Sequence, residues 1–154
     1  MPNDAKRLLL VSSSGGVLLD LLALEPWWSR HDPVWAVVRG ADTMSALVCQ
    51  RVHWIPETSI GRPLGIVPGF VQAWRILHSE APELIVSAGS GSAIPFFLAA
   101  RVLGIPTFWI STLNVVTTPG ISAKICARLS SRVFLQQPSM LGAHPDGFVI
   151  GELY

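Results

Sequence analysis

Short apolar runs, each closed by glycine, proline, serine or threonine, alternate with helical segments from one end of the chain to the other. The runs predict strands over Arg7–Ser13, Val34–Arg39, Val52–Ile55, Leu84–Ala88 and Thr107–Ser111, with two shorter ones over Val133–Gln136 and Phe148–Ile150. Between them the spacing predicts helices over Val17–Glu25, Thr43–Gln50, Phe70–Ser79, Ser92–Leu103 and Ile121–Leu129. Asp42 is expected to cap the second helix and Ser92 the fourth. A Gly/Pro-rich connection fills Glu57 to Gly69. Stretches such as LLLV, AVV and LIV show no alternation with polar residues, as expected for strands covered on both faces. The fold class that follows is α/β: a Rossmann-like, doubly wound parallel sheet with helices on each side. Without an internal repeat or a linker-like tract, residues 1–154 are expected to form one domain.

In such a sheet, ligands bind beyond the carboxyl ends of the strands, beside helix N-termini. Three of these ends are rich in small polar residues. The first carries Ser13, Ser14, Gly15 and Gly16, where two glycines let the backbone approach a ligand and the following helix aims free N–H groups at it. A phosphate or diphosphate fits there, and so does a tight turn with nothing bound. The loop lacks both the full G-x-G-x-x-G spacing and the lysine of a P-loop, which argues against ATP or GTP hydrolysis. The second end, Gly89, Ser90, Gly91 and Ser92, has the same design, and two such loops on one rim favour ligand binding. No serine there has glycines two residues before and after it, so a hydrolase nucleophile elbow is excluded. At the third end, Thr112 and Asn114 are uncharged candidates for contacting sugar hydroxyls, with an ordinary loop as the alternative.

Composition changes the picture at the surface. Half of the 154 residues are hydrophobic and 14% are charged, against about 25% in an ordinary soluble domain. Some apolar area is therefore expected to face a partner chain or a membrane. Trp27 and Trp28, at the end of the first helix, and Arg62, Leu64 and Ile66 in the long connection are the candidates for that contact, core packing being the alternative. Eleven Lys+Arg against ten Asp+Glu, with no basic run, argue against a nucleic-acid partner. The four histidines lack ligand spacing, so neither metal nor cofactor is expected. Cys49 and Cys126 lie far apart in apolar surroundings and read as buried, reduced thiols of a cytosolic protein. The longest apolar stretch, roughly 93–110, carries Arg101 and is cut by Pro95, Gly104 and Pro106. It predicts a buried helix followed by a strand, so any membrane contact is expected to be peripheral.

Taken together, strand–SSGG–helix, then ILHSEAPELIVSAGSGSAIPFFLAARVLGIPTFWI, then PGISAKICARLSSRVFLQQ and the closing GELY, the chain resembles the Alg-fourteen-like family of oligosaccharide-biosynthesis proteins. Bacterial PssD-type exopolysaccharide glycosyltransferase subunits belong to that family, and a fainter similarity runs to MurG-type acceptor domains. The resemblance covers nearly the whole chain and is most specific over Ala81 to Ile110. It implies the N-terminal, acceptor-binding half of a GT-B glycosyltransferase. A separate small catalytic chain would bring the C-terminal, UDP-sugar-binding half. The acceptor would be polyprenyl-diphosphate-linked, and the complex would sit peripherally on the inner face of the cell membrane. Carried over by position, Ser13 to Gly16 would face the acceptor diphosphate, with Gly89 to Ser92 beside them. Three positions depart from the family pattern. Val17 stands where histidine is usual, Ser111 where glutamate is, and Val115 where arginine follows, so no catalytic base is assigned. A scaffold without chemistry and a self-contained phosphosugar-binding enzyme stay open as alternatives.

Overall fold

The structure is a computed structural model that describes residues 4–58, 61–89, 91–111 and 120–151. Its strands are β1 (Arg7–Ser12), β2 (Asp32–Val38), β3 (Arg51–Ile55), β4 (Leu84–Ser87), β5 (Thr107–Ile110), β6 (Arg132–Leu135) and β7 (Phe148–Val149). The α-helices are α1 (Gly16–Ala23), α2 (Glu25–Trp28), α3 (Ala41–Ala46), α4 (Ile66–Glu80), α5 (Ile94–Leu103) and α6 (Ile121–Leu129). The strands form one sheet in the order β3-β2-β1-β4-β5-β6-β7, every neighbouring pair parallel. The expected α/β fold class is the observed one.

The non-alternating runs have a direct structural cause. Leu8, Leu9, Leu10 and Val11 are consecutive and all wholly buried, because each face of β1 carries its own helical layer. Leu8 and Leu10 join Trp35, Val37, Leu18 and Leu21 on the face of α1 to α3. Leu9 and Val11 join Ala36, Ile85, Ala73 and Phe97 on the face of α4 to α6. Trp35 meets Trp28 edge-on at 5.5 Å, and Phe97 meets Trp109 in the same way at 5.9 Å.

The helices depart from the expected bounds where distant contacts or proline decide. The first helix stops at Ala23 and resumes as α2, because Pro26 has no N–H to continue the hydrogen-bond ladder. Helix α4 begins at Ile66, four residues before the expected Phe70; Pro68 sits in the first turn, where no intrahelical donor is needed. Gly69 lies inside α4 because α5 crosses closely there: a Cβ would stand 3.1 Å from the Pro95 ring. Helix α3 is capped by Gly40 and Thr43, whose Oγ1 accepts the Gly40 N–H at 2.8 Å, and not by Asp42. Helix α5 starts after Ala93, so Ser92 is not its cap either. Cys126 is buried as expected, but Cys49 is exposed.

The amino edge of the sheet is closed by ion pairs. Arg7, the first residue of β1, holds Asp32, the first of β2, through Nε at 2.8 Å, and its backbone N–H donates to Glu83 at 3.0 Å. Glu80 at the end of α4 bridges two positions of β3: Arg51 Nη1 at 3.0 Å and His53 Nε2 at 2.7 Å.

Candidate functional site

Strands β1 and β4 are neighbours in the sheet but not in the chain, and helices leave them on opposite faces. This is the topological switch point of the fold, the place beyond the carboxyl ends where open sheets of this kind bind ligands. The register pairs Val11 with Ser87, so the residues that follow β1, from Ser13, and those that follow β4, from Ala88, leave side by side from one edge. The two glycine-rich loops singled out in the sequence are therefore brought together.

The β1 loop turns on Gly15, whose φ of +88° lies in the region that glycine enters without strain. Ser12 Oγ donates to Ser13 O at 2.7 Å and Ser13 Oγ to Ser14 O at 3.3 Å, so these hydroxyls fold back on their own backbone. No side chain caps α1. The N–H groups of Gly16 and Val17 find no hydrogen-bond partner among the described residues. Gly15 N–H, by contrast, donates to Asp42 Oδ2 at 2.7 Å, and Asp42 Oδ1 accepts the Thr43 N–H at 2.9 Å. The bond from Gly15 is the main cause holding the Asp42 carboxyl below its ordinary 3.8; slight desolvation opposes it and the Thr43 bond adds to it.

Gly40 makes this contact possible. A Cβ there would meet Asp42 Oδ1 at 2.8 Å and Ser14 Cβ at 3.1 Å, so the loops after β1 and β2 nest only without a side chain. Arg39, which directly follows β2, lies exposed on the same rim with its guanidinium over the Trp54 ring at 5.1 Å. It makes no ion pair among the described residues. Sequence reasoning missed both Arg39 and Asp42 as rim residues, because Asp42 read as a helix cap. The signal was available: once β2 is placed beside β1, the first polar residues after β2 must stand against the β1 loop.

In the β4 loop, Ser87 is buried and exchanges short-range bonds with Gly89. Gly91 is half-buried in a 3-10 turn that touches β1, and Ser92 is buried, its Oγ accepting the Thr58 N–H at 3.2 Å. Ser92 thus ties the β4 loop to the connection after β3. Ser90, Thr112, Asn114 and Val115 lie outside the described residues. Val17 is half-buried on α1. Ser111 is buried, its N–H donating to Phe134 O at 2.8 Å and its O accepting Gln136 Nε2 at 2.9 Å.

The surface candidates separate. Trp28 is 5% exposed and its indole N–H donates to Leu21 O at 2.8 Å, so it is a core residue. Trp27 is half-buried, edge-on to His31. Leu64 is 88% exposed, with Arg62 exposed beside it, while Ile66 is half-buried. The exposed apolar line runs Leu64, Val67, Val71 at helical spacing, ending near exposed Arg75. Among the described residues no helix is long and apolar enough to cross a membrane. An open cleft of about 780 Å³ lies elsewhere, between α6, the start of β6 and the 142–148 segment, where Arg128, Arg132 and His144 line it.

No family model matches the chain. Over 87 residues it is 33% identical to the UDP-N-acetylglucosamine–N-acetylmuramyl-(pentapeptide) pyrophosphoryl-undecaprenol N-acetylglucosamine transferase of Nitratidesulfovibrio vulgaris, covering 56% of this chain and 23% of that protein. The chain thus spans under a quarter of that relative. It is 23% identical to the human UDP-N-acetylglucosamine transferase subunit ALG14, covering 99% of this chain and 85% of that subunit. Acinetobacter baumannii MurG superposes with a TM-score of 0.73 at 18% identity, over 87% of this chain and 42% of the MurG chain. The UDP-N-acetylglucosamine 2-epimerase of Rickettsia bellii also gives 0.73, at 11% identity, over 97% and 45%. These structural likenesses carry the fold, a Rossmann-like half of the GT-B type. The chain is thus similar to ALG14 along nearly its whole length and, over a shorter stretch, to part of a pyrophosphoryl-undecaprenol N-acetylglucosamine transferase.

Proposed function

We propose that the chain is the acceptor-binding subunit of a two-chain glycosyltransferase. In this reading a small partner chain supplies the UDP-sugar-binding half, and the sugar passes to a polyprenyl-diphosphate-linked acceptor in exopolysaccharide or oligosaccharide assembly. The observation that carries it is the uncapped N-terminus of α1, set beside the β4 loop at the switch point. Unpartnered N–H groups at the positive end of a helix dipole suit a diphosphate. Two similar proteins support the same chemistry: one is a pyrophosphoryl-undecaprenol N-acetylglucosamine transferase, the other a UDP-N-acetylglucosamine transferase subunit. The exposed line Leu64–Val67–Val71, between Arg62 and Arg75, supports peripheral contact with the inner face of the membrane, where the acceptor's lipid would lie. The domain as a whole would then position the acceptor hydroxyl against a donor sugar held by the partner.

A second reading, a scaffold that keeps the partner interface without chemistry, is favoured by Ser111. It stands where the family resemblance puts a glutamate, and it is buried with its backbone engaged in the sheet.

One experiment addresses both. The chain is purified with and without a candidate UDP-sugar-binding partner, and labelled sugar transfer to a short polyprenyl-diphosphate sugar is measured. Transfer only by the pair, and an acceptor KM raised about five- to tenfold by Gly16→Asp, are expected; that factor is what one added negative charge near the diphosphate would produce. Gly16 does not have a positive φ and opens α1, so its backbone conformation accepts aspartate without strain. An unchanged acceptor KM in G16D would remove the site. Transfer by the chain alone would refute the two-chain reading, and a stable complex without transfer would establish the scaffold.

A further inference from the structure

The cradle at the start of α1 is not bare. Its outermost donor, the Gly15 N–H, is held at 2.7 Å by a carboxylate that comes from another loop, 27 residues along the chain. Asp42 Oδ1 accepts the neighbouring Thr43 N–H at 2.9 Å, and that local bond leaves Oδ2 to reach across to Gly15. Gly40 has no side chain in a place where one would collide with both Asp42 and Ser14, so the backbone itself is shaped to let the carboxylate reach across. Asp42 is exposed, and Gly15 is exposed beneath it; no packing locks the contact.

We propose that Asp42 is a resident carboxylate that occupies the anion cradle of the β1–α1 turn and is displaced when the acceptor's diphosphate binds. This inference rests on the acceptor-binding reading above. Two anions cannot share the Gly15 N–H, and a diphosphate seated on Gly16 and Val17 would stand within a few ångströms of the Asp42 oxygens. Like charges at about 4 Å repel by about 1 kcal/mol even in water-like surroundings, which is about a fivefold penalty on binding. Asp42 therefore keeps the loop formed in the free protein and holds the affinity for the diphosphate down, so that the lipid-linked product leaves. Arg39, on the same rim and without an acidic partner among the described residues, is the cation toward which the displaced carboxylate would turn.

The test uses inorganic pyrophosphate as probe and the ¹³C,¹⁵N-labelled 154-residue chain, in wild type, Asp42→Asn, Asp42→Ala and Gly16→Asp. Pyrophosphate is expected to shift the Gly15, Gly16 and Val17 amides of the wild type. Asp42→Asn and Asp42→Ala are expected to bind it about fivefold more tightly, and Gly16→Asp more weakly. Should either Asp42 variant lose its fold, the wild type alone still decides: pyrophosphate must move the Asp42 carboxyl carbon together with the Gly15 amide. Binding that Gly16→Asp weakens but both Asp42 variants leave unchanged or weaken would overturn the Asp42 role while preserving the cradle. Absence of binding in every form would overturn both readings.

Discussion

Glu80 offers the sharpest test of how the sheet is held. Its carboxylate, 13% exposed, accepts from His53 Nε2 at 2.7 Å and Arg51 Nη1 at 3.0 Å, and Arg7 Nη1 stands 3.9 Å away. Replacing it by glutamine keeps the shape and removes the charge. Hydrogen bonds to charged groups contribute about 1.5–3 kcal/mol, but Arg51 is half exposed and water screens its share. We therefore expect Glu80→Gln to cost about 1–2 kcal/mol at pH 7, or a fall of about 2–8 °C in Tm for a chain of this size. Burial alone would raise the Glu80 pKa, yet the His53 hydrogen bond and the Arg51 charge outweigh it and leave it below its ordinary 4.5. The sign follows from linkage. A carboxylate whose folded pKa is depressed stabilises fully above its unfolded value, and the contribution is lost as pH falls through the folded one. Urea unfolding of both proteins from pH 7 to pH 3 should show a gap that is constant down to about pH 5 and closes below 4.5. A gap that persists unchanged at pH 3 would mean that packing, not charge, is responsible, and no gap at pH 7 would refute the network's role altogether.

Two further outcomes follow from burial. Cys126 is wholly buried and its thiol is pushed up to about 12 by that burial, whereas Cys49 is exposed, so a disulfide-exchange reagent should titrate one thiol per chain in the native state and two in denaturant. Rapid native reaction of both would contradict the packing around α6. Gly147→Ala would place a Cβ 2.7 Å from Leu135 Cδ1 and 3.1 Å from the His144 carbonyl, and it should destabilise the chain by about 1–3 kcal/mol in chemical unfolding; a loss below about 0.5 kcal/mol would show that β6 and the 142–148 segment separate easily.

The strands were legible because their signal is local. A strand covered on both faces must be apolar at every position, and Leu8 to Val11 or Ile85 to Val86 announce that without any knowledge of neighbours. The two glycine-rich loops were legible for a related reason: small residues directly after such a run have few purposes other than a turn or a close approach. What stayed hidden depends on residues distant in sequence. Gly69 read as a loop residue because Pro95, which requires it, lies 26 residues on. Asp42 read as a cap because its partner Gly15 belongs to another loop. Trp28 could not be told from a surface tryptophan until Trp35 and Leu21 were seen to enclose it. Cys49 sits in an apolar-looking stretch, Ala46 to Cys49, whose α-helical part ends at Ala46, which leaves Val48 and Cys49 outward.

The two edges of the sheet differ in a way that bears on function. In a parallel sheet all strands begin at one edge and finish at the other, so every polar group at a strand end belongs to one of two populations. At the amino edge Arg7, Asp32, Arg51, His53, Glu80 and Glu83 are bonded to each other or to backbone, and a ligand there would have to break bonds already made. At the carboxyl edge the Gly16 and Val17 N–H groups and the Arg39 guanidinium lack such partners among the described residues, and the Asp42 contact is open to solvent. Binding free energy is gained where donors exchange only water for a ligand, not where they must first abandon a protein partner. It follows that stability and ligand binding should be separable: Glu80→Gln should lower Tm and leave pyrophosphate affinity alone, while Gly16→Asp should do the reverse. A Gly16→Asp protein that lost stability as Glu80→Gln does, or a Glu80→Gln protein that lost pyrophosphate binding, would show that the two edges are not independent and that the switch-point loops are part of the fold's support.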